Sequence, residues 1–295
     1  MKQLKLHADQ QINTRQSKWH ETWRRLKKNK TAIFGLVILI IFVLVAIFAD
    51  VIAPYDKGIK MDAKNRFSTP SFDNLFGTDA YGRDVFTRVV HGTRYSLSIG
   101  FFATILSMLF GIPLGAISGY YGGKVDNIIM RLVDVLTSIP AIMLSLVVVT
   151  VFGASLVNLI IAIFVARIPA DIRVIRSSVI TLVDQQYIEA SRSGGARDFH
   201  IIVKHILPNA VGTIIVQSTM NVGQLIIRAS GLSFLGLGVP TPAPEWGTLL
   251  SEAREFLRSA PHMMIFPGVA LILVALSINL LGDGLRDALD PKLKS

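Results

Sequence analysis

Few side chains in this sequence are placed to make or break covalent bonds. The 295 residues include six histidines and no cysteine, which excludes thiolate nucleophiles, disulfides and sulfur-ligated metals and leaves the redox compartment unread. His200 and His205 are poorly spaced for a shared metal on one helix, His-Glu-x-x-His does not occur, and no serine stands in a Gly-x-Ser-x-Gly elbow. Gly122-Gly123-Lys124 is followed by Val125, so the chain has no phosphate loop with which to hold ATP. What remains is noncovalent chemistry inside apolar stretches, carried by Arg131, Asp134 and Arg228. Arg131 and Asp134 are three residues apart on one helical face, which predicts a local ion pair. Asn221 and Gln224 precede Arg228 at helical spacing and give their helix a polar face, turned toward protein or toward a water-filled route. Arg228 then serves either a passing solute or a neighbouring subunit, and both roles stay open.

The elements that must position these groups are membrane helices. Hydrophobic residues make up 51% of the chain and charged residues 17%, and the mean hydropathy is +0.52, values of a polytopic membrane protein. The net charge of +10 is concentrated before the first apolar run: residues 1–30 hold nine Lys or Arg against Asp9 and Glu21. That is a topology signal rather than a nucleic-acid surface. Six spans are expected, at Ala32–Ile52, Tyr95–Tyr121, Ile128–Phe152, Leu156–Pro169, Val211–Gly236 and Met264–Leu285. The first is about 31 Å long as a helix and is too long and too late to be a cleaved signal. Lys18, Arg24, Arg25, Lys27, Lys28 and Lys30 outnumber Lys57, Lys60, Lys64 and Arg66 across it, which favours a cytoplasmic N-terminus. An even count brings the C-terminus to the same side. The domains expected are a cytoplasmic segment 1–31, a first span 32–52, an outer loop 53–94, a five-helix core 95–285 and a cytoplasmic tail 286–295. A second outer loop falls at 237–262. The chain before about Gln16 is expected to be poorly ordered. Trp19, Trp23 and Leu26 share a helical face and predict an interfacial helix, with membrane lipid as its partner. Gly111, Gly115 and Gly119 form a stripe for close helix packing, and Pro113, Pro140 and Pro169 interrupt successive spans.

The segment Asp171–Pro208 carries a second pattern. Glu189 and Ala190 favour helix, and Gly194 and Gly195 supply positive-φ conformations for a sharp turn. A helix from Asp198 to Ile206 would then stop at Pro208. A polar helix-turn-helix between spans serves either as a docking knuckle or as a mere connection. The residues Glu189-Ala190-Ser191, then Gly195, then Leu207-Pro208 resemble the cytoplasmic loop of ABC importer permeases. The family pattern is Glu-Ala-Ala, three residues, Gly, nine residues and Ile-x-Leu-Pro; here Ser191 replaces the second Ala and His205 the Ile.

Three further segments resemble the dipeptide, oligopeptide and nickel branch of that family. They are Gly77-Thr78-Asp79 with Gly82-Arg83-Asp84, Ser233 to Gly238 leading to Pro244-Glu245-Trp246-Gly247, and Asn279 to Pro291. Taken without the resemblance, Gly82 and Gly236 are turns, Trp246 an interfacial anchor and Asp290-Pro291 a helix stop. Four motifs in order over Trp23 to Lys294 look like the second of two non-identical permeases. The resemblance implies an all-α type I importer permease fold in a bacterial inner membrane, with no catalysis in this chain. It implies a homologous second permease, two ABC ATPases that bind ATP and magnesium, and an extracytoplasmic substrate-binding protein. It also implies an ATPase-coupling role for Glu189, Ala190, Ser191, Arg192, Gly195, Asp198, Leu207 and Pro208, and a translocation path near Asn221, Gln224 and Arg228. Peptides lead as substrate, with nickel chelates and glutathione as alternatives. A channel or secondary carrier is the rival class.

Overall fold

The computed structural model describes residues 20–289, whose regular structure is helical apart from an isolated bridge between Thr78 and Asp84. The chain before Gln16, Trp19 and the Asp290-Pro291 stop lie outside the described residues. A short helix α1, residues 20–28, leads into α2, Lys30–Ile47, whose N-terminus is capped by Asn29 accepting from the Ala32 N–H at 3.1 Å. Trp23 is exposed, but Leu26 is buried with Ala32, Leu281 and Ala288, so this end of α1 packs on protein as well as facing outward. The apolar run then turns at Phe48 into α3, Ala49–Ile52, and α4, Tyr55–Ile59.

Helix α5, Val85–Tyr121, starts ten residues before the expected Tyr95, because Asp84 accepts from both the N–H and the hydroxyl of Thr87 at 2.7 Å. The loop before it therefore ends at Asp84 rather than Arg94. With 37 residues α5 is about 55 Å long, well beyond the roughly 30 Å of a hydrocarbon core. It continues through Pro113.

The expected span Ile128–Phe152 is two helices, α6 (Gly123–Thr137) and α7 (Ala141–Phe152), bent by 78°. Pro140 sits at the break; it has no N–H to donate and disfavours helical backbone at Ile139. The expected Arg131–Asp134 pair is also not the one formed. Asp134 pairs with Arg173 at 2.7 Å, and Asp126 with Arg176 at 2.5 Å, both across to the helix Leu156–Val183 that follows α7. Those contacts turn Ile128, Leu132 and Val135 outward.

Helix α8, Leu156–Val183, passes straight through Pro169, where its end was expected. A proline deletes one backbone hydrogen bond, and within a packed bundle that loss leaves the helix continuous. The connection expected at Asp171–Pro208 accordingly begins only at Asp184. It holds α9, Gln186–Ser193, and α10, Asp198–Ile201, followed by α11, Leu207–Leu232. Helices α12, Trp246–Ala253, and α13, His262–Leu289, complete the fold. Among the described residues four helices are each long and apolar enough to cross a membrane, five if the bent α6–α7 pair counts as one span. The remaining expected span, Leu156–Pro169, falls on the 28-residue α8, which carries Arg167, Asp171, Arg173 and Arg176 and is not among those apolar helices.

Close packing holds α5 to α8. A Cβ on Gly111 would stand 2.9 Å from the Asp171 Cβ, one on Gly115 2.8 Å from the Ile172 carbonyl oxygen, and one on Gly119 2.8 Å from that of Arg176. Only hydrogen on these residues allows the backbones so near.

At the end of the bundle opposite α9, the two long loops fold onto one another around buried charge. Asp79 receives Arg83 at 2.6 Å and Arg88 at 2.7 Å, and Glu252 from α12 receives the same two arginines at 2.8 and 2.5 Å. Trp246 is 0% exposed and donates its ring N–H to the Val89 carbonyl at 3.0 Å, with Phe42 edge-on at 5.9 Å. It is a core pin, not the interfacial anchor its type suggests. Gly82 and Gly236 do make left-handed turns, at φ +77° and +84°.

Candidate functional site: an exposed knuckle and the polar seam behind it

Helices α9 and α10 form a knuckle at one end of the bundle. Gly195 alone supplies the left-handed turn, at φ +81°, whereas Gly194 lies at φ −74°. A Cβ at Gly195 would meet nothing within 4 Å, so backbone conformation rather than space selects glycine there. The knuckle is clamped from beneath by Ile188, 0% exposed, packed with Ile201, Ile206, Ile175 and Val179. Glu189, Ala190, Arg192 and Asp198 face out and Ser191 is half-buried. Phe199 is 78% exposed beside them, an apolar ring that the sequence pattern does not single out.

Tyr120, at the end of α5, ties the knuckle to the bundle. Its hydroxyl donates to Asp198 at 2.7 Å, and the Arg192 guanidinium lies over its ring at 5.4 Å. The adjacent Tyr120 side chain raises the Arg192 pKa from its ordinary value. Pro208 does not stop the chain as expected. A π turn, Ile202–Ile206, widens the helix so that the Leu207 N–H reaches the Ile202 carbonyl, and α11 continues with Pro208 in its first turn. α10 and α11 are thus one continuous helix, and Leu207 and Pro208, both half-buried, sit where the π turn ends.

Midway along the bundle a polar seam joins α5, α8 and α11. Asp171, 0% exposed, accepts from Arg167 at 3.1 Å, from the Asn221 amide at 2.9 Å and from the Ser107 hydroxyl at 2.7 Å. Arg167 also donates to the Asn221 side-chain oxygen and, at 3.2 Å, to Gln224. A carboxylate and a guanidinium this deep persist because each neutralises the other and the amides occupy their remaining valences. The structure therefore brings Asn221 and Gln224 together with Arg167 and Asp171. It leaves Arg228, one turn further along α11, exposed on the chain surface. Arg167 and Asp171 were legible as an i, i+4 pair of opposite charges, a signal hidden by taking Pro169 as a helix end.

The model of the binding-protein-dependent transport system inner membrane component family matches residues 111–295, more than half of the chain. This chain belongs to that family. The model of the N-terminal transmembrane domain of oligopeptide transport permease C matches residues 17–70. The chain is 46% identical over 279 residues to the dipeptide transport system permease protein DppC of Alkalihalophilus pseudofirmus, covering 95% of this chain and 91% of that one. It is 46% identical over 276 residues to the glutathione transport system permease protein GsiD of Escherichia coli O157:H7, covering 94% and 91%. The GsiD protein of Pectobacterium atrosepticum is 44% identical over 277 residues. Among solved structures, an inward-facing MetNI methionine ABC transporter superposes with a TM-score of 0.57 at 22% identity, over 69% of this chain and 96% of that one, which shows a shared fold.

The chain is thus a multi-pass permease subunit of an ABC importer, with the all-α type I importer permease fold. Family membership implies a companion permease, an ATPase and a binding protein as working partners.

Proposed function

We propose that this permease lies in a bacterial cytoplasmic membrane with both termini in the cytoplasm, and that its α9–α10 knuckle docks on one of two ATPase subunits. With a homologous second permease it lines the path for small peptides handed over by an extracytoplasmic binding protein. The observation that carries the docking is the division of the knuckle: Ile188 is locked into the bundle, while Glu189, Arg192 and Phe199 face outward. An exposed aromatic ringed by charges is the composition of an interface anchor. Glu189 is the polar contact, Gly195 the turn, and Leu207-Pro208 the joint through which knuckle motion enters α11.

ATP and magnesium belong to the partner ATPases, and this chain does no covalent chemistry. ATP favours the outward-facing arrangement by closing the ATPase pair, which carries the knuckles with it; hydrolysis resets the path. The shift needs only a difference of a few kcal/mol in how ATP binds the two arrangements. On this reading Arg228 faces the path with Gln224 beside it, and Asn221 holds the path wall to α8. The cysteine-free chain makes the orientation testable. Ser71→Cys should react with an impermeant thiol reagent on intact cells, and Ser193→Cys only after permeabilisation; labelling of Ser193→Cys in intact cells reverses the orientation.

Peptide uptake is supported by the 46% identity to a dipeptide permease. Glutathione, itself a tripeptide, is the second reading, supported by an equal identity to a glutathione permease. Deletion of this chain should abolish uptake of labelled dipeptide or tripeptide and leave nickel uptake intact. Loss of nickel uptake alone would reject both peptide readings. Loss of glutathione uptake with other peptides unaffected would select the second.

A further inference from the structure

An apolar groove of about 590 Å³ lies between α2, α5, α11 and α13. Along α2 its wall runs from Leu39 to Ile47, and along α5 from Arg94 to Phe102. Each wall is eight helical steps, about 12 Å, against about 30 Å for the whole hydrocarbon core. A transmembrane helix would need a track across the full core. This groove serves a single leaflet, the one on the side away from the knuckle.

A polar pocket of about 390 Å³ adjoins the groove, and Arg94 and Ser98 line both. Arg94 closes the end of α2: it donates to the Ala46 carbonyl, to the Ile47 carbonyl at 2.9 Å and to Asp50 at 2.8 Å. A guanidinium has five N–H donors, so two remain. His91 faces the Ala53 carbonyl with its Nε2 at 2.8 Å. Since a carbonyl only accepts, Nε2 carries the hydrogen, and in the neutral ring Nδ1 is a lone pair. That Nδ1 stands 3.9 Å from the Asp50 carboxylate. Two acceptors face each other there with room for a donor between them, while unspent N–H groups and the Tyr95 residue stand close by in the same pocket.

We propose that groove and pocket together hold one phospholipid with a primary-amine headgroup, of the phosphatidylethanolamine type. One acyl chain lies in the groove. The phosphate accepts from Arg94 and Tyr95, and the ammonium donates to Asp50 and the His91 Nδ1. The pocket offers one formal negative and one formal positive charge, which matches a zwitterion. Phosphatidylcholine, with the same charges, has no N–H to donate.

The test uses the whole importer, this chain with its companion permease and ATPases, in mild detergent with native mass spectrometry. Dioleoyl phosphatidylethanolamine, dioleoyl phosphatidylcholine and dioleoyl phosphatidylglycerol are added separately. The ethanolamine lipid should be retained about tenfold more than the choline lipid, the change expected for one charge-assisted hydrogen bond. Asp50→Asn keeps the packing and should bring that ratio to about one. Ser98→Trp, which fills the groove, should lower retention of all three lipids. Equal retention of the two zwitterionic lipids by the native complex, or an unchanged ratio in Asp50→Asn, overturns the headgroup assignment. Cross-linking of Phe102→Cys to the companion permease in native membranes overturns the lipid assignment altogether, because protein would then fill the groove.

Discussion

The two ends of this permease use similar residues in opposite ways. At the cap where the two long loops meet, Asp79, Arg83, Arg88 and Trp246 are buried and bound to one another or to the backbone. At the knuckle, Glu189, Arg192 and Phe199 are outside, and apolar Ile188 does the holding. Both segments read in the sequence as short polar motifs broken by glycine. The difference lies in their surroundings: the cap charges come in opposite pairs from two loops that close on each other, whereas Glu189, Arg192 and Asp198 stay exposed, with Tyr120 holding the last two from one side. A polar motif that finds its partners at home is scaffold. One that faces outward is what the proposed docking requires.

The comparison would break most visibly at Asp79. Its carboxylate meets two buried guanidinium groups and accepts from the Tyr81 and Arg83 N–H groups at 2.8 and 3.0 Å. Asp79→Ala should cost about 3–5 kcal/mol, seen as lost membrane abundance and a lowered Tm of the solubilised complex. A variant of native abundance and Tm would show that the cap is not structural.

Gly115→Ala comes next. The added methyl meets a backbone carbonyl of α8, so α5 and α8 must separate at a cost of about 1–3 kcal/mol, read as a lower Tm. An unchanged Tm would show that the two helices do not approach as closely as described. Gly195→Val should cost about 1–2 kcal/mol through the left-handed φ alone. Its signature is disproportionate, a nearly normal Tm with strongly reduced uptake; loss of Tm with normal uptake would place the knuckle among the scaffold elements. Tyr120→Phe removes one hydrogen bond to Asp198 and should cost about 0.5–1.5 kcal/mol. Uptake should fall partially with the ATPase still bound, and unchanged uptake would free the knuckle from α5.

How much was readable beforehand follows the same division. Helix identity, the Gly111–Gly115–Gly119 packing face and the turn at Gly195 depend on local sequence, and local sequence displayed them. The prolines misled: the ends read at Pro169 and Pro208 and the interruption read at Pro113 lie within continuous helix, whereas the interruption expected at Pro140 is a full 78° bend. What decides among them is whether neighbouring helices and a π turn accommodate the missing N–H, which is tertiary information. Asp134 was paired with its neighbour Arg131 because nothing in the chain order brings Arg173 near. The seam of Arg167, Asp171, Asn221 and Gln224 was half seen, since its α11 members were noticed and its α8 members were assigned to a boundary. Trp246 was mistaken for a surface anchor because its type is common at membrane interfaces, and only the folded loops show that it is enclosed.

Glu189→Lys tests the central claim most directly, with three readings on one preparation: membrane abundance, ATPase co-purification and labelled-peptide uptake. The side chain is exposed and charge reversal there should leave folding within about 0.5 kcal/mol, so abundance should be native. Repulsion replacing attraction at a desolvated contact should weaken ATPase retention and collapse uptake. Native uptake with native ATPase retention would contradict the account and return the knuckle to the status of a loop.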